Sequence, residues 1–219
     1  MMESSEGRIL VMTSVEAERD AVLRGIDFNK RVDVVLAGVG PVSAAIETTK
    51  ALQKEEYSLV ICAGIAGGFT DKADVGSVVV ASEIVSADLG AESPDGFIPL
   101  DDLGFGSSTR IAVEEHLAGA LTSALEATGI ITNRGTVLTL STVTGTAETT
   151  ADLQAREPDA VAEAMEGYGV ASAARSYNVP VLELRAISNA IGPRVRSAWR
   201  IKDALAALES ASKVITEVF

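Results

Sequence analysis

Three acidic positions and one amide are placed where side-chain chemistry can be built: Glu16 and Glu18 behind Thr13-Ser14, Glu166 directly after Met165, and Asn189 directly after Ser188. A carboxylate can orient a hydroxyl or take a proton from water, and an amide can donate one hydrogen bond while accepting another. The chain has one histidine and one cysteine. The usual zinc sets of several such ligands therefore cannot be assembled, although a carboxylate-held magnesium stays open. A Ser-His-Asp triad would rest wholly on His116, which sits among Glu114, Glu115 and Leu117 and reads as an ordinary helix-surface residue. Cys62, inside the apolar run Leu59-Val60-Ile61-Cys62-Ala63, reads as an inert buried thiol. Any catalysis must come from carboxylates, amides and hydroxyls.

The elements that must position these groups follow from hydrophobic period and turn chemistry. Residues 9–12 form a short apolar run fit for a buried strand, and Thr13-Ser14 can cap a helix beginning at Val15. Glu16 and Glu18 fall in its first turn, where the helix dipole stabilises negative charge, so both also read as ordinary helix-start carboxylates. A strand over 32–37 leads through Gly38-Val39-Gly40-Pro41 into an alanine-rich helix reaching about Lys54. Gly-x-Gly there is weak as a dinucleotide motif, because Pro41 and Ser43 interrupt the spacing and the third glycine is missing. No cofactor is assigned. A strand over 59–63 is followed by Gly64-Ile65-Ala66-Gly67-Gly68, small residues that let a ligand approach the backbone.

The stretch 86–106 is polar, rich in Gly and Pro and too irregular for one element, so it reads as a long surface excursion, either a lid or a subunit contact. A helix around 112–127 and a strand over 136–140 lead to the loop Ser141-Thr142-Val143-Thr144-Gly145-Thr146. Asp159 suits an N-cap, and Val161, Ala164, Met165, Tyr168 and Ala171 repeat at helical spacing, which predicts a helix carrying Met165-Glu166. Asn178 and Pro180 end that helix. A buried strand through Val181, Leu182, Leu184 and Ile187 then opens into Ser188, Asn189 and Gly192. Ligands in open α/β sheets favour such strand ends. From Trp199 to Val218 an amphipathic helix, with Ile201, Ala204, Leu205, Leu208, Ala211, Val214 and Ile215 at helical spacing, closes the fold.

At 219 residues, 47% hydrophobic and with a mean hydropathy of +0.26, the chain is expected to form one domain over 1–219, its first seven residues disordered. The opening is short, polar and acidic, unlike a secretory signal or a membrane anchor, and a cytoplasmic location is expected. A net charge of −13 opposes binding to nucleic-acid phosphates or an anionic membrane surface, which leaves a small-molecule ligand.

Met165-Glu166 followed by Arg185-Ala186-Ile187-Ser188-Asn189 resembles the purine nucleoside phosphorylase and nucleosidase superfamily, and within it the futalosine hydrolase branch. The likeness runs from Ile9 to the C-terminal helix. It is supported by Gly-x-Ala-Gly-Gly at 64–68, by the following Val75-Gly76-Ser77 segment, and by Asp88-Leu89-Gly90-Ala91-Glu92. The resemblance implies a three-layer α/β/α sandwich around a mixed central sheet, a purine nucleoside as ligand, no cofactor and a homo-oligomer. It singles out Glu18 over Glu16 as the acid that engages an attacking water. It gives Glu166 and Met165 to the ribose, Asn189 to the purine, Ile65, Ala66 and Gly67 to the substrate, and Val143 and Thr144 to the base.

Under that resemblance Asn189 separates branches. Methylthioadenosine nucleosidases carry aspartate at this position, since adenine leaves poorly until N7 shares a proton, whereas an amide suits a 6-oxopurine such as hypoxanthine. The other reading of Asn189 is a loop-stabilising residue after a strand. The arginine-free stretch 59–109 favours water over phosphate as nucleophile, unless Arg19 or Arg24 reaches the site. Futalosine bears a carboxylate on an aryl ketone, so Arg194 and Arg196 are candidates to attract it; solvated surface arginines are the alternative. A methylthioadenosine/adenosylhomocysteine nucleosidase, a nucleoside phosphorylase and a non-catalytic nucleoside sensor are the competing readings.

Overall fold

The computed structural model describes residues 7–106 and 108–219; the expected disorder of the first residues lies, Gly7 apart, outside them. The chain runs β1 (Ile9–Thr13), α1 (Glu16–Gly25), β2 (Val32–Leu36), α2 (Pro41–Leu52), β3 (Leu59–Gly68), β4 (Val78–Ser86), β5 (Gly90–Ser93), β6 (Gly96–Pro99), β7 (Arg110–Ala112), α3 (Glu115–Ala127), β8 (Thr132–Thr139), α4 (Ala147–Arg156), β9 (Ala160–Ala164), α5 (Gly167–Ser176), β10 (Val181–Ala190) and α6 (Ile201–Val218). Among the described residues eight strands form one mixed sheet in the order β10-β4-β8-β9-β3-β1-β2, with β7 on the edge of β4. A further parallel pairing of β10 with β3 closes β3, β9, β8, β4 and β10 into a ring. Helices α1 and α3 pack on α6, and α2 packs on α5, so the sheet is covered by two helical groups. This is the α/β architecture with a mixed central sheet that the sequence implied.

Burial explains the strand pattern. Every residue of β1 is buried, and β3 and β10 read as near-continuous apolar runs because both have strand neighbours and helices around them. Cys62 is buried in β3 and unpaired, and His116 on α3 is exposed, as expected. Helix α6 buries Ala204, Leu208, Ala211, Val214 and Ile215 against the core, while Ile201 stays on the outside. Among the described residues no helix is long and apolar enough to cross a membrane.

Two local expectations are corrected. Residues 160–164 form strand β9, not the first turns of a helix, so Met165-Glu166 stands at a strand-to-helix junction and Glu166 is the N-cap residue of α5. All five residues of β9 are buried, and a short apolar run of this kind satisfies either period. Gly64 to Gly68 is not a loop after a strand but the second half of β3, held by β10 on one side and by β9 at Gly67 and Gly68 on the other. The excursion 86–106 is, as expected, no single element: it contains a β5–β6 hairpin and a short 3-10 turn at Leu100–Leu103, with Arg156 stacked 4.5 Å above the Phe97 ring.

Candidate active site

The C-terminal ends of β1, β2, β3, β8, β9 and β10 converge on one cleft of about 240 Å³. Into it come Ser14, Val15 and Glu18 after β1, Val39 after β2, Ile65 to Gly67 within β3, Val143 and Thr144 after β8, Glu163 to Glu166 at the end of β9, Ser188 and Asn189 of β10, and Arg194 and Trp199 beyond it. Every residue to which the resemblance gives a role therefore meets in one place, as does Arg194, whereas Arg196 and the exposed Glu16 do not line the cleft. Arg196 instead lines a neighbouring depression with Trp199, Arg200 and Ile201, while Arg194 lies over the Trp199 ring at 4.8 Å.

Glu18 is 3% exposed. Its Oε2 accepts the backbone N–H groups of Ser14 and Val15 at 2.9 and 3.3 Å, and its Oε1 accepts that of Ile65 at 2.8 Å. Glu18, not Thr13 or Ser14, thus caps α1, reaching back from the third helical position because Val15 at the N-cap has no side-chain acceptor. Three of its roughly four acceptor sites are taken, and the remaining capacity faces the cleft. Gly64 makes this possible: a Cβ there would stand 2.7 Å from Glu18 Oε1 and 2.8 Å from Arg185 Nη1.

Glu166 is held more loosely. Its carboxylate accepts the Gly40 and Met165 N–H groups, each at 3.3 Å, and lies 3.4 Å from Arg185 Nη2. Such long contacts leave much of the acceptor capacity of this carboxylate unspent. The Gly38-Val39-Gly40 turn, read from sequence only as a tight strand-to-helix junction, therefore belongs to the site through Gly40 N–H and the Val39 side chain.

Arg185 is the buried cation beneath the cleft, 1% exposed, with Nε donating to Glu183 Oε1 at 2.8 Å and Nη2 to the Cys62 sulfur at 3.2 Å. Burial opposes its charge, but Cys62, Glu183, Glu166 and Glu18 outweigh that and raise its pKa. Glu183 is pushed up by burial, against the pull of Arg185, and among the described residues its Oε2 has no hydrogen-bond partner. Burial also pushes the Cys62 thiol well up, which fits an unreactive sulfur.

At the other end of the cleft a β-bulge between Ile187 and Asn189 turns the Asn189 side chain inward. Its Oδ1 accepts the Ser188 hydroxyl at 2.8 Å and its Nδ2 donates to Ala190 O at 3.1 Å, leaving one amide N–H. Glu163, which sequence reading passed over, is buried here: Oε1 accepts the Thr144 N–H at 2.9 Å and Oε2 the Thr144 hydroxyl at 2.6 Å. Burial raises its pKa while the Thr144 donors lower it, burial prevailing. Arg19 and Arg24 pair with Asp20 and Glu209 and do not line the cleft.

Residues 10–219 match the model of the phosphorylase superfamily. The futalosine hydrolase of Streptomyces coelicolor is 51% identical over 93% of this chain and 92% of its own, and that of Acidothermus cellulolyticus 46% identical over 92% and 87%. A 5′-methylthioadenosine/S-adenosylhomocysteine nucleosidase of Colwellia psychrerythraea is 31% identical over 74% of this chain and 68% of its own. Among solved structures, the Helicobacter pylori futalosine hydrolase superposes with a TM-score of 0.82 at 20% identity over 96% of this chain and 98% of its own. The Neisseria meningitidis nucleosidase in complex with methylthio-immucillin-A gives a TM-score of 0.84 at 19% identity over 96% and 99%; at these identities both show likeness of fold. The chain belongs to the phosphorylase superfamily, in the group it shares with the two futalosine hydrolases.

Proposed function

We propose that the protein is an N-glycosyl hydrolase that cleaves futalosine to hypoxanthine and dehypoxanthine futalosine, a step of menaquinone biosynthesis. The observation that carries this reading is the pairing of two buried cleft carboxylates, Glu18 and Glu166, with an amide rather than an acid at Asn189. The identity of 51% to the Streptomyces enzyme supports the choice of substrate.

Breaking the N-glycosidic bond leaves positive charge on the ribose and negative charge on the departing base, so both ends of the cleft must respond to the transition state. Glu18 orients water and takes its proton, a role commonly worth ~10²–10⁴ in rate. Glu166 accepts the ribose hydroxyls and favours the cationic sugar, with Met165 packed against the ring. Asn189 donates its remaining N–H to the purine at N7, and the Ser188 hydroxyl on Oδ1 supports that orientation. Ile65, Ala66 and Gly67 form the floor; Val143 and Thr144 flank the base. Arg194 is the only arginine in the cleft lining among the described residues, and it takes the substrate carboxylate. Without a cluster of arginines to hold phosphate, water is the nucleophile. A second copy covers the exposed Val39, Val42 and Ile46 beside the cleft, giving a homo-oligomer whose size sedimentation measures.

The test is chromatographic detection of free base from futalosine, inosine and methylthioadenosine, with and without phosphate. Hypoxanthine from futalosine in phosphate-free buffer is expected. Adenine from methylthioadenosine as the main product, phosphate-dependent cleavage, or no turnover of any of the three would each overturn the reading.

A further inference from the structure

Glu163 is the third carboxylate in the cleft, and the reaction as derived so far leaves it without a task. Its place is set by register. Gly67 of β3 pairs with Glu163 across the antiparallel β9 ladder and with Asn189 across the parallel β10 ladder, so the three residues form one row across three strands. A Cβ at Gly67 would stand 3.3 Å from Asn189 Nδ2 and 3.5 Å from Glu163 Cγ. Both side chains thus flank the same glycine on the same face, with Ile191 Cγ1 2.9 Å from the same point, so no side chain at position 67 separates them. Asn189 and Glu163 both line the cleft beside this glycine.

The hydrogen-bond sense at Glu163 is settled by its partner. A backbone N–H can only donate, so the Thr144 N–H marks Oε1 as an acceptor, and the Thr144 hydroxyl donates to Oε2. Thr144 holds the carboxylate from behind, and each oxygen keeps a lone pair for the cleft. A 6-oxopurine carries N1–H, a donor, on its Watson–Crick edge; a 6-aminopurine carries an unprotonated N1 acceptor there, which an ionised carboxylate repels. We propose that Glu163, positioned by Thr144, is a second base-reading residue that selects purines bearing a ring N–H at N1 and rejects 6-aminopurines. The inference rests on the nucleosidase reading above and adds the groups that read the far edge of the base. A site built around such a donor can reject an analogue lacking it by far more than apolar contacts can.

Free-base binding tests the inference separately from catalysis. Hypoxanthine, 1-methylhypoxanthine and adenine are titrated calorimetrically into the wild-type protein, Glu163→Gln and Thr144→Val, with a thermal melt of each variant. The wild type is expected to prefer hypoxanthine over both other bases by about 100-fold or more. In Glu163→Gln the Thr144 N–H keeps the amide oxygen, which turns the amide NH₂ toward the cleft. The hypoxanthine-to-adenine ratio should then fall by about tenfold or more, with adenine bound as well as before or better. Thr144→Val should move the ratio the same way by less. Equal weakening of both bases in Glu163→Gln, or an unmoved ratio in a folded variant, would overturn the inference. If hypoxanthine is still released from futalosine in that case, the function stands and only the role of Glu163 falls; absence of hydrolysis by the wild type removes the function itself, whatever the titration shows.

Discussion

The Nη2 of Arg185 lies 3.4 Å from Glu166 Oε2 with both residues buried, and the same guanidinium holds Glu183 Oε1 at 2.8 Å. One desolvated cation thereby sits beside the Glu166 and Glu183 carboxylates, and Glu18 shares its neighbourhood across Gly64.

Removing that cation leaves buried carboxylates uncompensated. Arg185→Met should destabilise the fold by about 3–5 kcal/mol and abolish turnover, because breaking one side of a buried ion pair costs far more than the pair contributes net. Urea unfolding gives the number; a loss below about 1 kcal/mol would show that Glu183 and Glu166 do not depend on this partner.

Glu18→Gln should lower kcat by ~10²–10⁴ with nucleoside-analogue binding largely kept. The amide can serve the Ile65 N–H or the Ser14 and Val15 N–H groups, not both, so a stability loss of about 1–3 kcal/mol is expected alongside. Wild-type kcat in this variant would remove Glu18 as the base.

A methyl group at position 64 would press on Glu18 Oε1 and Arg185 Nη1 together. Gly64→Ala should cost roughly 10²-fold in kcat/KM through displacement of the carboxylate, since a shift near 1 Å is worth about that much. Pre-steady-state kinetics should place the loss in bond cleavage; a loss confined to product release would contradict this account.

Arg194 reaches the cleft and Arg196 does not. Arg194→Ala should therefore raise KM for futalosine about tenfold or more while leaving KM for inosine, which lacks the carboxylate, within a few-fold. Arg196→Ala should leave both unchanged. Equal effects of Arg194→Ala on the two nucleosides would separate it from the carboxylate.

Burial raises the pKa of Glu163 in the folded chain above the unfolded value of about 4.3. As pH rises past about 4.3 the unfolded chain releases this proton first and binds fewer protons than the native state, so this group's contribution to stability falls with pH until its folded pKa is passed. The difference in Tm, Glu163→Gln minus wild type, should become more positive across that window and then level off. Scanning calorimetry between pH 4 and 8, taken as a range of about four units, decides it; a difference that falls with pH would mean that Glu163 is ionised more readily in the fold than in the unfolded chain.

What local sequence determined here was chemistry by elimination and most of the element order. One histidine and one cysteine exclude whole mechanisms. The strands at β1, β2 and β10 and the helices α2 and α6 follow from apolar runs and periodicity that report each residue's immediate neighbours. The stretch 159–166 was misread because Val161, Ala164, Met165 and Tyr168 satisfy a helical period. That error concealed Glu163, which on a helix would be merely one turn from Glu166. Only strand register sets Glu163 opposite Gly67 and Asn189, and only the closure of β10 onto β3 carries β3 on through Gly68. The burial of Arg185 among three acids and the division between Arg194 and Arg196 were likewise decided in three dimensions. The cleft gathers the ends of six strands that lie far apart in the chain, and pairing between distant segments depends on packing that no local pattern encodes.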